Sequence, residues 1–167
     1  MTLDVLLWLL VGVMLFAWLG VVAFGPPYVP TLKKDLDKVV DFLELNARDH
    51  VVDLGAGDGR VLLAAVQMGA RASGVEMNPF LVWIARFRLR GYRRLATVVQ
   101  GDMWRYKLPE DASVVFVFFA ETFMSKLDNY LATYTKQGRH FRLVSYGFLL
   151  PNRTPSHVVG AFNVYDF

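Results

Sequence analysis

Val51-Val52-Asp53-Leu54-Gly55-Ala56-Gly57-Asp58-Gly59-Arg60 is the stretch that decides how this chain folds. A short apolar run ends in glycine at every second position, and a helical pattern opens at Arg60. Glycines 55, 57 and 59 let the backbone leave a strand sharply and approach a ligand closely, while the helix that follows presents N–H groups with no partner inside it. An adenine-nucleoside ligand is the expected occupant. A dinucleotide fingerprint would read Gly-x-Gly-x-x-Gly, but here the spacing is Gly-x-Gly-x-Gly and Arg60 stands where the third glycine would be. Asp53, two residues ahead of the first glycine, would repel a pyrophosphate yet suits the cationic amino group of a methionine moiety. The stretch therefore fits S-adenosylmethionine better than NAD.

Outward from this turn the pattern repeats. Residues 50–54 read as a strand, 60–68 as a helix, 72–76 as a strand and 79–90 as a helix, the alternation that marks a parallel α/β sheet with helical crossovers. Residues 96–100, 113–119 and 142–150 add three strands, with a helix over 124–134 before the last. After Leu150 there is room for one clear strand, 158–167, so the expected sheet falls short of a closing hairpin. Upstream, Leu32, Leu36, Val39, Val40 and Leu43 recur at helical spacing with charges interleaved, and Thr31 is placed to cap that helix.

The first 32 residues differ in kind from the rest. They hold no Lys or Arg and one acid, Asp4, followed by twenty uncharged residues from Val5 to Phe24. As a helix that run would be roughly 30 Å long, the thickness of a bilayer's hydrocarbon core. Residues 1–25 are therefore read as a single transmembrane anchor, 26–31 as a stiff proline-rich linker, and 32–167 as one α/β domain. Lys33, Lys34 and Lys38 follow the span and nothing basic precedes it, which places the domain on the cytoplasmic side. With no cysteine, a disulfide framework, a thiolate metal site and a cysteine nucleophile are excluded. A formal charge of +3 is too small to argue for nucleic acid, and His50, His140 and His157 lack metal-ligand spacing, so neither a nucleic-acid partner nor a metal is expected.

Two further acids extend the pattern of the glycine turn. Glu76 ends the second strand in Gly74-Val75-Glu76-Met77-Asn78-Pro79, and Asp102 follows the third in Gly101-Asp102-Met103-Trp104. In this order the residues resemble the seven-stranded class I S-adenosylmethionine-dependent methyltransferases. The resemblance implies a Rossmann-like sheet and a cofactor site made of Asp53, Gly55, Ala56, Gly57, Asp58, Gly59, Glu76, Met77, Asp102 and Met103. In it Glu76 would bind the ribose hydroxyls, and Asp102 would accept from the adenine amino group. A narrower resemblance comes from the anchor together with Pro-Tyr-Val-Pro-Thr at 27–31, Val-Asp-Leu-Gly-Ala-Gly-Asp-Gly-Arg at 52–60 and Glu-Met-Asn-Pro-Phe-Leu-Val-Trp at 76–83. These are similar to the small membrane-anchored protein-lysine methyltransferases that include the enzymes modifying the ATP synthase c-ring protein and the adenine nucleotide translocase. That resemblance implies a lysine of a membrane protein as acceptor and the bilayer as partner. The segment Phe119-Ala120-Glu121-Thr122-Phe123-Met124 departs from the pattern.

On the acceptor side, no Asn-Pro-Pro-Tyr or Asp-Pro-Pro-Tyr follows the fourth strand, which argues against DNA adenine or glutamine as target. Glu121 is the acid expected to receive the acceptor amine, at the C-terminal edge where open α/β sheets place their ligands. Tyr28, Trp104 and Phe123 are the expected substrate wall, with Phe80 a further candidate, while Trp83, Phe87, Phe116 and Phe118 read as core. Arg86, Arg88, Arg90, Arg93 and Arg94 read as a solvated helix end, or else as a contact for anionic headgroups. The rival readings are a methyltransferase acting on a membrane-dissolved quinone or lipid precursor, and a non-catalytic cofactor-binding scaffold.

Overall fold

The computed structural model describes residues 2–24 and 31–167, with side chains at 2–15, 31, 32 and 34–167. Seven strands form one sheet: β1 (His50–Leu54), β2 (Arg71–Glu76), β3 (Ala96–Gln100), β4 (Val114–Val117), β5 (Arg142–Tyr146), β6 (His157–Val159) and β7 (Phe162–Asp166). Their order is β3-β2-β1-β4-β5-β7-β6, the first five parallel and β7 antiparallel to both neighbours. The order reverses direction between β1 and β4. Their C-terminal ends diverge there, leaving the crevice in which such sheets bind ligands.

Alternation along β1 assigns its side chains to two cores. Val51 joins α2 (Lys33–Leu43), α3 (Arg60–Gln67) and α4 (Pro79–Arg88) on one face, through Leu36, Val39, Leu62, Ala65 and Ala85. Val52 and Leu54 join α5 (Met124–Thr135) on the other, through Met124, Leu127 and Leu131. Leu127 and Leu131 are fully buried, and truncating either to Ala would cost on the order of 2–5 kcal/mol.

Three expectations are corrected. The sheet is not short of its closing hairpin: Gly160 (φ +60) breaks the 158–167 run, and Val159 pairs with Phe162 across a two-residue turn. β5 ends at Tyr146 rather than Leu150, because Gly147 (φ +79) turns the chain and donates its N–H to the Ala161 carbonyl. Thr31 does not cap α2, whose N-cap is Leu32 with no side-chain bond; Thr31 is buried and its carbonyl accepts from Arg60 instead.

At the N-terminus, α1 (Leu3–Phe24) is a 22-residue helix whose described side chains, through Leu15, are all exposed. Among the described residues no helix is long and apolar enough to cross a membrane. The linker expected over 26–31 lies outside the described residues apart from Thr31.

Candidate functional site

The C-terminal ends of β1, β2, β4 and β5 open on a cavity of about 510 Å³, a volume that suits a small-molecule cofactor. Asp53 lines it while only 5% exposed. Burial pushes its carboxyl up to about 8, and the neighbouring charges of Glu76 and Asp58 push in the same direction. A desolvated acid among acids is completed by a cation, and a methionine amino group supplies one.

The glycine loop is hung from β2. Gly55 (φ +88) and Gly57 (φ +53) turn the chain through the left-handed region, and the N–H groups of Gly55 and Ala56 donate to the Val75 carbonyl at 2.9 and 3.0 Å. Gly57 N–H donates to Glu76 Oε2 at 2.9 Å, and Asn78 N–H to Glu76 Oε1 at 2.8 Å. Both carboxylate oxygens are thereby aimed, each with acceptor capacity left for a ligand. Asn78 in turn caps α4, accepting from the N–H groups of Phe80 and Leu81, with Pro79 in the first turn. Gly101 N–H donates to the Glu76 carbonyl at 2.9 Å, and Asp102 Oδ1 accepts from Trp104 N–H at 2.9 Å. Backbone and carboxylate bonds therefore tie the glycine loop, Glu76 and the turn at Asp102 together.

Asp53, Gly55, Ala56, Gly57, Asp58, Glu76, Met77, Asp102, Met103, Trp104 and Phe123 all border the cavity. Two of the expected cofactor residues also have structural work. Gly59 does not line the cavity; at φ +76 it is the N-cap of α3, and an added Cβ would stand 2.9 Å from Ala85 Cβ, so the close approach of α4 requires it. Asp58 is clamped by two guanidiniums, Arg60 at 2.9 Å and Arg88 at 2.5 Å. Arg60 also donates to the Thr31 carbonyl at 2.6 Å, joining the start of the domain to the loop.

The opposite wall is aromatic. Phe118 and Phe119 after β4, Trp104, Phe123, Tyr146 and Phe148 line it. Trp104 packs 5.8 Å from Phe119 and 6.4 Å from Phe123, and the Lys126 ammonium sits 4.2 Å over its ring. The Tyr146 hydroxyl donates to Asp35 Oδ2 at 3.3 Å; burial, then the Asp35 charge, push its pKa above the ordinary value.

Glu121 does not join this wall. It is exposed at the start of a 3-10 turn, Glu121–Phe123, and is not among the cavity's lining residues, because the chain leaving β4 runs on through Phe118, Phe119 and Ala120 before it turns. Phe80 is 66% exposed and also absent from the lining, while Tyr28 lies outside the described residues. Trp83 and Phe87, read as core, are 69% and 58% exposed, and Phe118 is at the cavity rather than in the core. The arginine run is not simply solvated: Arg86 donates to the Val98 carbonyl at 2.8 Å, and Arg88 is spent on Asp58. Asn78, Leu81, Phe119, Tyr146 and Phe148 are lining residues that the sequence reading missed. The signal for most of them was position alone, just beyond the C-terminal end of a parallel strand.

A sequence profile of the ANTKMT methyltransferase domain matches residues 53–157, from the first acid of the loop to the first strand of the closing hairpin. The chain belongs to that family. The rat (Rattus norvegicus) lysine N-methyltransferase of the ATP synthase c-ring protein is 33% identical over 136 residues, covering 80% of this chain and 61% of that protein. The mouse adenine nucleotide translocase lysine N-methyltransferase (Mus musculus) is 37% identical over 137 residues, covering 80% and 58%. The chain thus spans about three-fifths of the length of these two relatives. A crystal structure of an RNA methyltransferase from Salinibacter ruber in complex with S-adenosyl-L-homocysteine superposes with a TM-score of 0.73 at 30% identity, covering 83% of this chain and 92% of that one. The molecule bound in that neighbour is S-adenosylmethionine without its methyl group, which agrees with the cofactor class that the glycine turn and Asp53 select.

Proposed function

We propose that this chain is a membrane-anchored, S-adenosylmethionine-dependent methyltransferase that acts on a lysine of a membrane protein. The observation that carries it is the pairing, in one cavity, of a three-acid cradle with an aromatic wall. Bound in the cradle, S-adenosylmethionine would supply an activated methyl group on a cationic sulfur. Asp53 would hold the methionine amino group, Glu76 the ribose hydroxyls and Asp102 the adenine amine, with Met77 and Met103 beside the nucleoside. The wall would take the aliphatic stem of the acceptor lysine and keep water out. A lysine amine, with an ordinary pKa of about 10.4, must lose a proton before it can attack, and a dry apolar wall favours the neutral form. The Tyr146 hydroxyl, which donates to Asp35, would accept from that amine and orient it. Glu121, expected to do so from its place in the sequence, is exposed between Ala120 and Phe123, which line the cavity while it does not.

The anchor reading rests on residues 5–24 and the one-sided lysines after them, with the catalytic domain on the cytoplasmic side. The aromatic wall suits both the stem of a lysine and its methylated, still cationic product. The kinship with an RNA methyltransferase raises RNA as a second acceptor, which the test below separates.

The test is incubation of the full chain and labelled S-adenosylmethionine with membranes from cells lacking it, followed by separation of protein, lipid and RNA. Label in a protein that yields methyllysine on hydrolysis is the expected outcome. Label in the lipid extract or in RNA would replace the acceptor class, and none anywhere would point to a scaffold.

A further inference from the structure

Helix α4 has two unlike sides. Val82, Ala85 and Leu89 are buried against the domain. Phe80, Trp83 and Phe87, at i, i+3 and i+7, form one stripe on the outside, 66%, 69% and 58% exposed. Trp83 and Phe87 stack on each other with ring centroids 6.2 Å apart, and the Arg90 guanidinium sits 4.3 Å over Phe87, so the stripe is continuous and ends in a cation. Three aromatic rings in a row on one exposed face are not scattered surface residues.

The charge around the stripe has one sign. From Asn78 to Gln100 there are five arginines and no acid. Arg86 and Arg88 are spent on Val98 and Asp58. Arg90, Arg93 and Arg94 are exposed, and none forms a salt bridge among the described residues. A short helix with Trp and Phe on its outer face, followed by arginines that want anions, matches the interface of an anionic bilayer, where aromatic rings enter the headgroup region and guanidiniums meet phosphates. A nucleic-acid duplex would satisfy the arginines but leave Phe80 and Trp83 in water, and a single strand, whose bases could stack on them, would shield the labels used below without any lipid and so overturn the inference.

We infer that the outer face of α4 docks on an anionic lipid surface, with Phe80, Trp83 and Phe87 entering the headgroup layer and Arg90, Arg93 and Arg94 against lipid phosphates. This contact is separate from the N-terminal helix and holds whatever the acceptor is. Its consequence for the site is positional: α4 begins one residue after Asn78, which lines the cavity with Met77 and Leu81, so the docked face brings the cavity mouth to the bilayer.

The chain has no cysteine, so single substitutions of the full-length protein can each carry one environment-sensitive fluorophore. Trp83→Cys and Phe87→Cys report on the stripe, and Asn129→Cys, exposed on α5 across the sheet, is the control. Because the N-terminal helix can itself bring the protein to vesicles, the readout is the depth of each label. On vesicles containing phosphatidylglycerol, labels at 83 and 87 should shift to the blue and be quenched several-fold more than the control by a lipid-borne quencher. Pure phosphatidylcholine, or Arg90→Glu with Arg93→Glu and Arg94→Glu, should reverse this. Labels at 83 and 87 that stay in water on anionic vesicles would overturn the inference. So would shielding that needs no lipid and grows with protein concentration, which would assign the face to a second copy of the chain.

Discussion

The two ends of β1 gather acids in opposite company. At the N-terminal end His50 Nδ1 lies 2.7 Å from Asp111 Oδ1, Arg71 lies 2.5 Å from Asp111 Oδ2, His50 Nε2 lies 2.9 Å from Ser73 Oγ, and the Ser113 hydroxyl donates to Asp49 at 2.8 Å. The His50 bond and the Arg71 cation pull the Asp111 carboxyl below its ordinary value, against a smaller opposing effect of burial. At the C-terminal end Asp53 meets burial, Glu76 and Asp58, and its carboxyl moves the other way, to about 8. A Ser–His–Asp constellation thus occurs at the end of β1 away from the 510 Å³ cavity, with Ser73 buried, and it is a staple across β1, β2 and the segment leading to β4. Residue types alone would have ranked that staple as the site. The electrostatic imbalance identifies the other end, because only there does the protein hold a charge deficit for a ligand to fill.

The comparison can be broken hardest at Glu76. Its carboxylate accepts from two backbone amides and, in the proposed function, would offer acceptors to two ribose hydroxyls, so Glu76→Ala should weaken S-adenosylhomocysteine binding by about 1.5–3 kcal/mol, or roughly 10- to 150-fold, in calorimetry. Unchanged affinity would remove Glu76 from the cofactor site.

Asp53 sharpens it next, through pH. Below about 8 the carboxyl is protonated in the free chain, so binding a cationic amino group should expel a proton. Affinity should then rise by up to tenfold per pH unit between about 5 and 7 and level off near 8, where the ligand's own α-amino group, pKa about 7.7–8.0, begins to lose its charge. Asp53→Asn should bind more weakly and lose the slope. For stability the sign is the reverse of a salt-bridged acid. With the folded value raised, the penalty is absent below the ordinary value of 3.8 and grows as pH rises toward 8. The Asn variant, free of ligand, should escape that decline in a melting series.

How much of this was legible in the sequence follows the same division. The loop was readable because alternating glycines after an apolar run leave few alternatives, Glu76 and Asp102 were readable through the resemblance to class I methyltransferases, and the β-α alternation pointed to a parallel sheet. Two kinds of feature were not. The Gly160 hairpin was hidden because its turn holds a single glycine inside an apolar run that otherwise reads as one strand. The acceptor wall was hidden because Phe119, Tyr146 and Phe148 come from separate strand ends and carry no spacing of their own. Glu121 shows the cost of reading by neighbourhood: it lies between Ala120 and Phe123, which both line the cavity, yet is itself exposed and not a lining residue. Trp83 and Phe87 were read as core because aromatic residues are usually buried, and that assumption fails on the exposed outer face of α4.

A third change acts on the acceptor side. Tyr146→Phe keeps the ring packed on Phe118 and Phe162 but removes the hydroxyl held by Asp35. One hydrogen bond of about 0.5–1.5 kcal/mol corresponds to a loss of roughly 2- to 12-fold in kcat/KM for a lysine acceptor. Cofactor affinity should stay the same, and a matching loss there would place Tyr146 with the cofactor instead.

The smallest effect is expected at the staple, and it is the control for the whole comparison. Asp111 is 46% exposed, so its ties to His50 and Arg71 are screened by solvent, and Asp111→Asn should cost no more than about 1 kcal/mol, a fall in Tm of about 2–4 °C. Because its folded pKa is lowered, the contribution is present above the ordinary value of 3.8 and is lost as pH falls through the lower folded value. The gap in Tm between wild type and variant should therefore close as pH falls below about 4. Cofactor affinity and its pH slope should be those of the wild type, since β1 carries the staple at one end and Asp53 at the other with fully buried residues between them. A change in the Asp53 slope in this variant would show that the two ends titrate as one system, and the contrast drawn between them would fail.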